Sequence, residues 1–161
     1  VISANGALES LEGLAAVSGS LLGSVVIQGN DRLLTLEGLQ GVTSVGNDTH
    51  GRSIVISANG ALKSLEGLEG VNCDLPGSLV IQENPNLRKL KGLQGVTSVG
   101  MDIWGRSIFI SANAALLSIE HLAGLSGTLP GSLTIQGNVN LLTLRGLQGV
   151  RSVRSFLLFA N

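Results

Sequence analysis

A repeat of fixed length constrains this chain of 161 residues more than any other feature. The phrase ISANGAL begins at Ile2 and at Ile56 and returns with one change at Ile110, so the step in residue number is the same each time (56 − 2 and 110 − 56). A second phrase, IQGN or IQEN, lies between these copies and begins at Ile27, Ile81 and Ile135. A short fixed period predicts a solenoid, because one unit cannot bury its apolar face alone.

Each short unit is organised around an asparagine. Steps of 25 and 29 in residue number alternate along the series (30 − 5, then 59 − 30), which consists of Asn5, Asn30, Asn59, Asn84, Asn113 and Asn138. Leu, Ile or Val follows each of them at four fixed offsets, which predicts apolar columns that stack into one continuous core. We expect each asparagine to bond backbone groups at a sharp corner and to contact the same residue of the next coil.

The segment before each asparagine alternates in polarity with a period of two, as a β-strand does. In residues 78–82, Leu79 and Ile81 are predicted to face the core. The residues that alternate with them are predicted to face solvent, and they are Ser78, Val80 and Gln82. The chain is therefore predicted to be all-β, a parallel β-helix of about six coils that forms one domain over residues 1–161.

A glycine recurs between the second and third apolar columns, which indicates a backbone position that disfavours a side chain. His121 is the one break in this glycine column. Drift at a tolerant exposed corner and a local contact by a titrating group are the two interpretations of that break.

The pattern L-x-I-x-x-N, as in Leu79, Ile81 and Asn84, resembles the L-x-L-x-x-N core of leucine-rich repeats. The Gly-Leu that follows, and the V-T-S-V-G segments at 42–46 and 96–100, make the unit more similar to receptor L-domain repeats over essentially the whole chain. This resemblance implies a right-handed β-helix with little or no helix, and a role in binding proteins or peptides or in scaffolding. The sequence lacks the flanking disulfides of the growth-factor-receptor members. Ordinary leucine-rich repeats with helical convex sides are the alternative, which the recurrent glycines disfavour.

Composition excludes several classes of function. A formal net charge of −1 provides no basic face for nucleic acid, and no apolar run is long enough for a membrane span. The single cysteine, Cys73, cannot form an internal disulfide and fits a free thiol better than a nucleophile. The chain begins and ends in strand-like sequence, so we expect it to be a segment of a longer protein. An extracellular or organelle-lumen location is favoured.

Two loops are longer than their counterparts in the other coils, and they stand at equivalent positions, 46–52 and 100–106. Insertions in solenoid repeats map to one face, which is often the binding face. The residues predicted to contact a partner are Met101, Ile103, Trp104 and Arg106, together with His50 and Arg52. Trp and Arg are the residue types that dominate interface energetics. The alternative is a loop that tucks Trp104 over its own coil. In the first loop, Asn47-Asp48-Thr49 is an N-glycosylation sequon.

A second candidate surface is a stripe along the strands that alternates with the core positions. It consists of Val26, Val55, Val80 and Phe109. A stripe of Val and Phe edged by Ser and Gln predicts a docking surface. The alternative is a set of ordinary β-branched residues that suit strands.

No carboxylate pair, metal-ligand cluster, phosphate loop or nucleophile motif is found, so the sequence predicts no enzyme and no cofactor. A flat regular Thr array for ice binding is also lacking, since the hydroxyl column is interrupted by Lys89. The predicted function is a non-catalytic protein-binding or scaffolding module. The second hypothesis is self-association through the solenoid ends into filaments, because residues 1–80 carry −5 (3 − 8) and residues 81–161 carry +4 (7 − 3).

Overall fold

The structure, a computed structural model, describes residues 1–159 and 161. It is a parallel β-solenoid of about six turns with almost no helix, as the repeat predicts. The strands are β1 (Ile2–Ser3), β2 (Gly19–Leu21), β3 (Val25–Gln28), β4 (Val42–Val45), β5 (Arg52–Ser57), β6 (Ser78–Gln82), β7 (Arg106–Ser111), β8 (Ser126–Gln136) and β9 (Gly149–Phe159). Two short 3-10 helices, Glu12–Leu14 and Glu120–Leu122, are the only helices in this part of the chain. Neither is long or apolar enough to cross a membrane.

One long sheet holds most of the strands. Its order is β1-β3-β5-β6-β7-β8-β9, and every neighbouring pair is parallel. The recurrent isoleucines are in register, since Ile27 pairs with Ile56 and Ile56 pairs with Ile81. A second sheet contains only β2 and β4 and lies on another side of the coil. The repeat therefore sets the strand register, because each strand carries the same residues at the same offsets.

The apolar columns form a single core along the solenoid axis. Leu62, Leu87 and Leu116, one from each of three successive coils, are fully buried, and so are Leu79 and Ile81 of β6. The prediction that these positions face the core is confirmed. Ser78, predicted to face solvent, is instead fully buried, because its hydroxyl donates to the Asp102 carboxylate. Like residues stack on like because each coil repeats the one before it.

The recurrent corner of each coil is held by a ladder of asparagine side chains. Asn59 Nδ2 donates to the carbonyls of Ser57 and Ile27, both at 3.0 Å, and to Asn84 Oδ1 at 3.1 Å. The backbone N–H of Asn59 also donates to Asn84 Oδ1. The same pattern links the other neighbours, and the asparagines of the inner coils are fully buried. The expectation that each asparagine bonds backbone groups and its counterpart in the next coil is confirmed.

The ladder continues into the last coil. Asn138 donates through its backbone N–H and its side chain to Asn161 Oδ1, at 3.1 and 3.2 Å. Strand β9 pairs with β8 over the whole of its length, so residues 149–159 add a seventh strand to the long sheet.

The glycine column divides into two backbone geometries. Gly38 and Gly67 have φ of +113° and +112°, and a Cβ on either would lie 2.0 Å from a backbone carbonyl oxygen of the preceding coil. Gly13 and His121 instead lie in the two 3-10 helices, where φ is not positive. His121 is tolerated because the chain there takes a helical turn that accepts a side chain.

The outward stripe of the long sheet differs from the prediction. Val26, Val55 and Val80 form a cluster separate from the main core, but they are only 4–7% exposed, so they do not present a free surface. Stacking at the spacing of a parallel sheet explains the burial, because Val55 pairs with Val26 and Val80, and Val80 also pairs with Phe109. Phe109 packs against this cluster and is half-buried.

Candidate functional site

The two long loops lie on one side of the solenoid, just before strands β5 and β7. We call residues 46–52 loop A and residues 100–106 loop B. The coil between them has the shorter segment Pro76-Gly77 at this place. Because that coil is short here, the loops extend past it and touch, and the N–H of Ile103 donates to the carbonyl of His50 at 2.9 Å. The two loops therefore form one continuous surface.

An aspartate organises loop A. Asp48 Oδ1 accepts from the backbone N–H groups of His50 and Arg52, both at 2.9 Å, and Oδ2 accepts from Arg52 Nε at 2.8 Å. Partial burial raises the pKa of Asp48, but the hydrogen bonds from the Arg52 side chain and from the two backbone N–H groups outweigh it, so the pKa is below its ordinary value. The carboxylate thus fixes the turn in its ionised form.

Loop B has the same arrangement around Asp102, which is more deeply buried than Asp48. Asp102 Oδ1 accepts from the N–H groups of Trp104 and Arg106, at 3.0 and 2.9 Å, and Oδ2 accepts from Arg106 Nε at 2.9 Å. Ser78, on the intervening coil, adds a hydrogen bond from its hydroxyl to Oδ2 at 3.1 Å. The Asp102 side chain is fully buried, whereas that of Asp48 is 19% exposed. Loop B is therefore the more tightly held of the two.

Aromatic and cationic side chains gather on the outer side of the loops. The His50 and Trp104 rings are stacked, with centroids 5.4 Å apart and planes at 7°. The Arg106 guanidinium carbon lies 4.8 Å from the Trp104 ring and 5.2 Å from the Phe109 ring, and that of Arg52 lies 6.0 Å from Trp104. Such contacts hold the indole in one orientation.

Trp104 is nevertheless 55% exposed. The ring packs on its own protein, as the alternative interpretation expects, and still offers a face to solvent. Contact of this loop with a partner stays a prediction. Met101 and Ile103 are exposed as well. They border an open depression of about 590 Å³ between loop B and the last two coils, which Ser132, Arg154 and Leu157 line on the other side.

The sequon lies at the edge of this surface. Asn47 and Thr49 are exposed on loop A, so the acceptor nitrogen is accessible. Its glycosylation stays a prediction.

Of the predicted partner-binding residues, the structure brings His50, Arg52, Trp104, Arg106 and Phe109 into one cluster. Val26, Val55 and Val80 belong to the buried stripe described above and are not part of this surface.

Sequence reasoning missed the two organising aspartates and the residues across the depression. The recurrence of D-x-x-G-R at Asp48 and at Asp102 is the signal that could have found the former. Within the described chain, no group of three or more His, Cys, Asp or Glu side chains is placed to hold a metal ion. Comparison with known proteins gave no match to a family model, to a curated protein or to a solved structure.

Proposed function

We propose that this protein is a non-catalytic protein-binding module, and that loops A and B are its recognition surface. The observation that carries the proposal is Trp104, a large aromatic side chain that is rigidly stacked and yet 55% exposed. A pre-oriented aromatic anchor loses little conformational entropy on binding, so such residues contribute most of the energy at interfaces. We further propose kinship with leucine-rich repeats of the receptor L-domain type, which the L-x-I-x-x-N pattern and the asparagine corners support.

The chemistry around Trp104 supports recognition of a protein segment. Arg106 is held by Asp102 and lies against the indole, while Met101 and Ile103 supply exposed apolar area beside it. An apolar anchor with a polar and charged rim is the usual anatomy of a protein interface.

Selection of peptides from a random display library on the intact chain tests this proposal. Selected peptides are then measured against the wild type, Trp104→Ala and Leu142→Ala. Leu142 is the matched control because it is an exposed apolar residue, 82% accessible, at a different corner of the coil. We expect Trp104→Ala to weaken binding at least about tenfold and Leu142→Ala to leave it within about twofold. Peptides that bind both variants equally, or the absence of any Trp104-dependent peptide, would contradict the proposal.

Head-to-tail stacking of copies is the second candidate function. Its supporting observation is the last strand, where Phe156, Leu157, Leu158 and Phe159 are 42–57% exposed. In the described chain β1 and β9 are the outer strands of the long sheet, and each has one edge that pairs with no other strand. Unpaired edges template further strands, and the opposite charges of the two halves favour a head-to-tail contact.

Molar mass by light scattering across protein concentration, at low and high salt, tests this second candidate. Stacking predicts long species that dissociate as salt rises. Leu158→Glu, at the register position of the core residue Ile135, should abolish them, whereas Leu157→Glu, opposite Thr134, should not. A salt-insensitive monomer would contradict stacking.

A further inference from the structure

The depression beside loop B lies where the solenoid omits a third loop. The chain segments from Val42 to Asn59 and from Val96 to Asn113 are equally long (59 − 42 and 113 − 96), and each has room for one of the loops A and B. In the last coil the corresponding segment, from Val150 to Asn161, is much shorter (161 − 150), so no loop stacks on the far side of loop B. The open space of about 590 Å³ is the result.

The way loop B sits on its neighbours shows what this space would recognise. Three of the contacts that hold loop B involve consecutive residues: Ser78 donates to the Asp102 carboxylate at 3.1 Å, Ile103 N–H donates to the His50 carbonyl at 2.9 Å, and Trp104 stacks on His50. The neighbouring coils therefore bind three groups of loop B: a carboxylate, a backbone N–H and an aromatic ring. These groups belong to three consecutive residues in the order Asp-x-aromatic.

The receiving groups recur one full repeat further on. Ser132 is the equivalent of Ser78 in the next repeat and lines the depression. Trp104 is the equivalent of His50 and also lines the depression. In the part of the chain that the structure describes, neither the Ser132 hydroxyl nor the Trp104 carbonyl makes a hydrogen bond. The hydroxyl of Ser132 and the carbonyl and ring of Trp104 thus repeat the groups that bind loop B, but no third loop of this chain binds to them.

Positive charge adds to these groups. Arg154 lines the same depression, is exposed and forms no ion pair with any described residue. A guanidinium binds a carboxylate through two parallel hydrogen bonds, which makes it more selective than an ammonium. Residues 81–161 carry +4 overall (7 − 3), so an acidic segment would be attracted to this end of the solenoid.

We propose that the depression binds a partner segment of the form Asp-x-aromatic, with its carboxylate on Arg154 and Ser132 and its ring on Trp104. This inference rests on the proposed protein-binding function and names the chemistry of the partner. The segment would occupy the place that loop B occupies on the coil before it.

A short synthetic peptide tests the inference on the intact chain. The probe is acetylated, amidated Met-Asp-Ile-Phe-Gly, which copies residues 101–105 of loop B with phenylalanine in place of tryptophan. Trp104 is the only tryptophan, so its fluorescence reports binding at the site directly, and backbone amide NMR shifts provide an independent readout. Two control peptides replace the aspartate by asparagine or the phenylalanine by alanine.

The expected result is saturable binding in the range of about 0.1–5 mM, weakened roughly tenfold by either change in the peptide and by Arg154→Ala. Arg151→Ala is the matched control, because Arg151 is an exposed arginine of the same strand that lines a different depression. It should change binding less than about twofold.

Equal binding of the asparagine peptide, or equal losses in Arg154→Ala and Arg151→Ala, would overturn the inference. So would the absence of any saturable change. Display-selected peptides that need Trp104 but lack the Asp-x-aromatic pattern and ignore Arg154→Ala would overturn the inference and leave the proposed function standing.

Discussion

The two ends of the long-sheet strands differ in how strictly their residues repeat from coil to coil. At the carboxyl ends of the long-sheet strands one residue, asparagine, closes every coil and is buried in the inner coils with its hydrogen bonds made inside the chain. At the amino ends of β5 and β7 the chain keeps a Gly-x-Asp-x-x-Gly-Arg framework and changes the residues between these positions. Asn47, Thr49 and His50 of loop A become Met101, Ile103 and Trp104 of loop B.

The difference separates what specifies the fold from what can vary. Each buried asparagine side chain forms hydrogen bonds with the asparagines of the coils above and below it. No other residue can take its place, because any replacement would leave several buried polar groups without a hydrogen-bond partner. A loop whose backbone is held by one aspartate can exchange its outward side chains without losing that support. We therefore expect stability to depend on the asparagine ladder and recognition on the loops.

Removing one asparagine side chain from the ladder should lower the free energy of unfolding more than any other change proposed here. Asn84→Ala deletes the donor to the Ile56 and Gln82 carbonyls and the acceptor that Asn59 uses, so we expect a loss of about 3–5 kcal/mol in the free energy of unfolding. Urea denaturation measures it. Asn86→Ala is the control, since its exposed side chain makes a single bond to Gly60, and it should cost less than about 1 kcal/mol. Equal losses of stability in Asn84→Ala and Asn86→Ala would contradict the assignment of stability to the asparagine ladder.

The two loop aspartates should differ in importance. Asp102→Ala removes a buried carboxylate with four hydrogen bonds and leaves Arg106 without its partner, so a loss of roughly 2–3 kcal/mol is expected. Asp48→Ala removes the more exposed equivalent, for about 1 kcal/mol. Chemical denaturation of both variants ranks them, and a larger loss for Asp48→Ala would show that burial does not distinguish the loops.

The turn glycines of the two loops test whether loop A contacts loop B. Gly51 and Gly105 share a φ of +77°, so alanine at either is strained by about 1 kcal/mol. A Cβ on Gly51 would also lie 3.0 Å from the Asp102 Cα, whereas one on Gly105 would meet open space. Gly51→Ala should therefore lower the thermal midpoint more than Gly105→Ala. Equal shifts would mean that the loops do not touch as described.

Acid should weaken loop A. Because the pKa of Asp48 is lower in the folded protein than its ordinary value of 3.8, its hydrogen bonds stabilise the fold above about pH 4 and are lost as pH falls through the folded pKa. Asp48→Asn should therefore be less stable than the wild type near neutral pH, and the gap, less than about 1 kcal/mol, should close in acid. Unfolding curves between pH 6 and pH 2.5 measure that gap, and a constant gap would contradict this pKa assignment.

The sequence was sufficient to predict the strands of the long sheet, the buried columns and the asparagine ladder, because each is a local rule repeated in register. Leu79, Ile81 and Asn84 lie where that rule predicts. The second sheet, β2 and β4, was not predicted. The burial of Val55 and Val80 was not predicted, since period-two alternation identifies the face of a residue but not what its neighbours cover.

The candidate site was predicted only in part. Loop length and residue type pointed to His50 and Trp104, but their stacking depends on two loops, one full repeat apart in the sequence, that meet across a shorter coil. Arg154 was not identified as part of the site, because its place beside loop B follows from the shortened last coil and not from any motif.

An exchange of the outward residues between the two loops separates the contribution of loop B to recognition from its contribution to stability. The variant Met101→Asn, Ile103→Thr, Trp104→His gives loop B the outward residues of loop A and keeps Asp102, Gly105 and Arg106. Its unfolding free energy and its affinity for a display-selected peptide are measured side by side. We predict stability within about 1 kcal/mol of the wild type and affinity at least about tenfold lower. Full affinity in a folded variant would contradict the assignment of recognition to loop B.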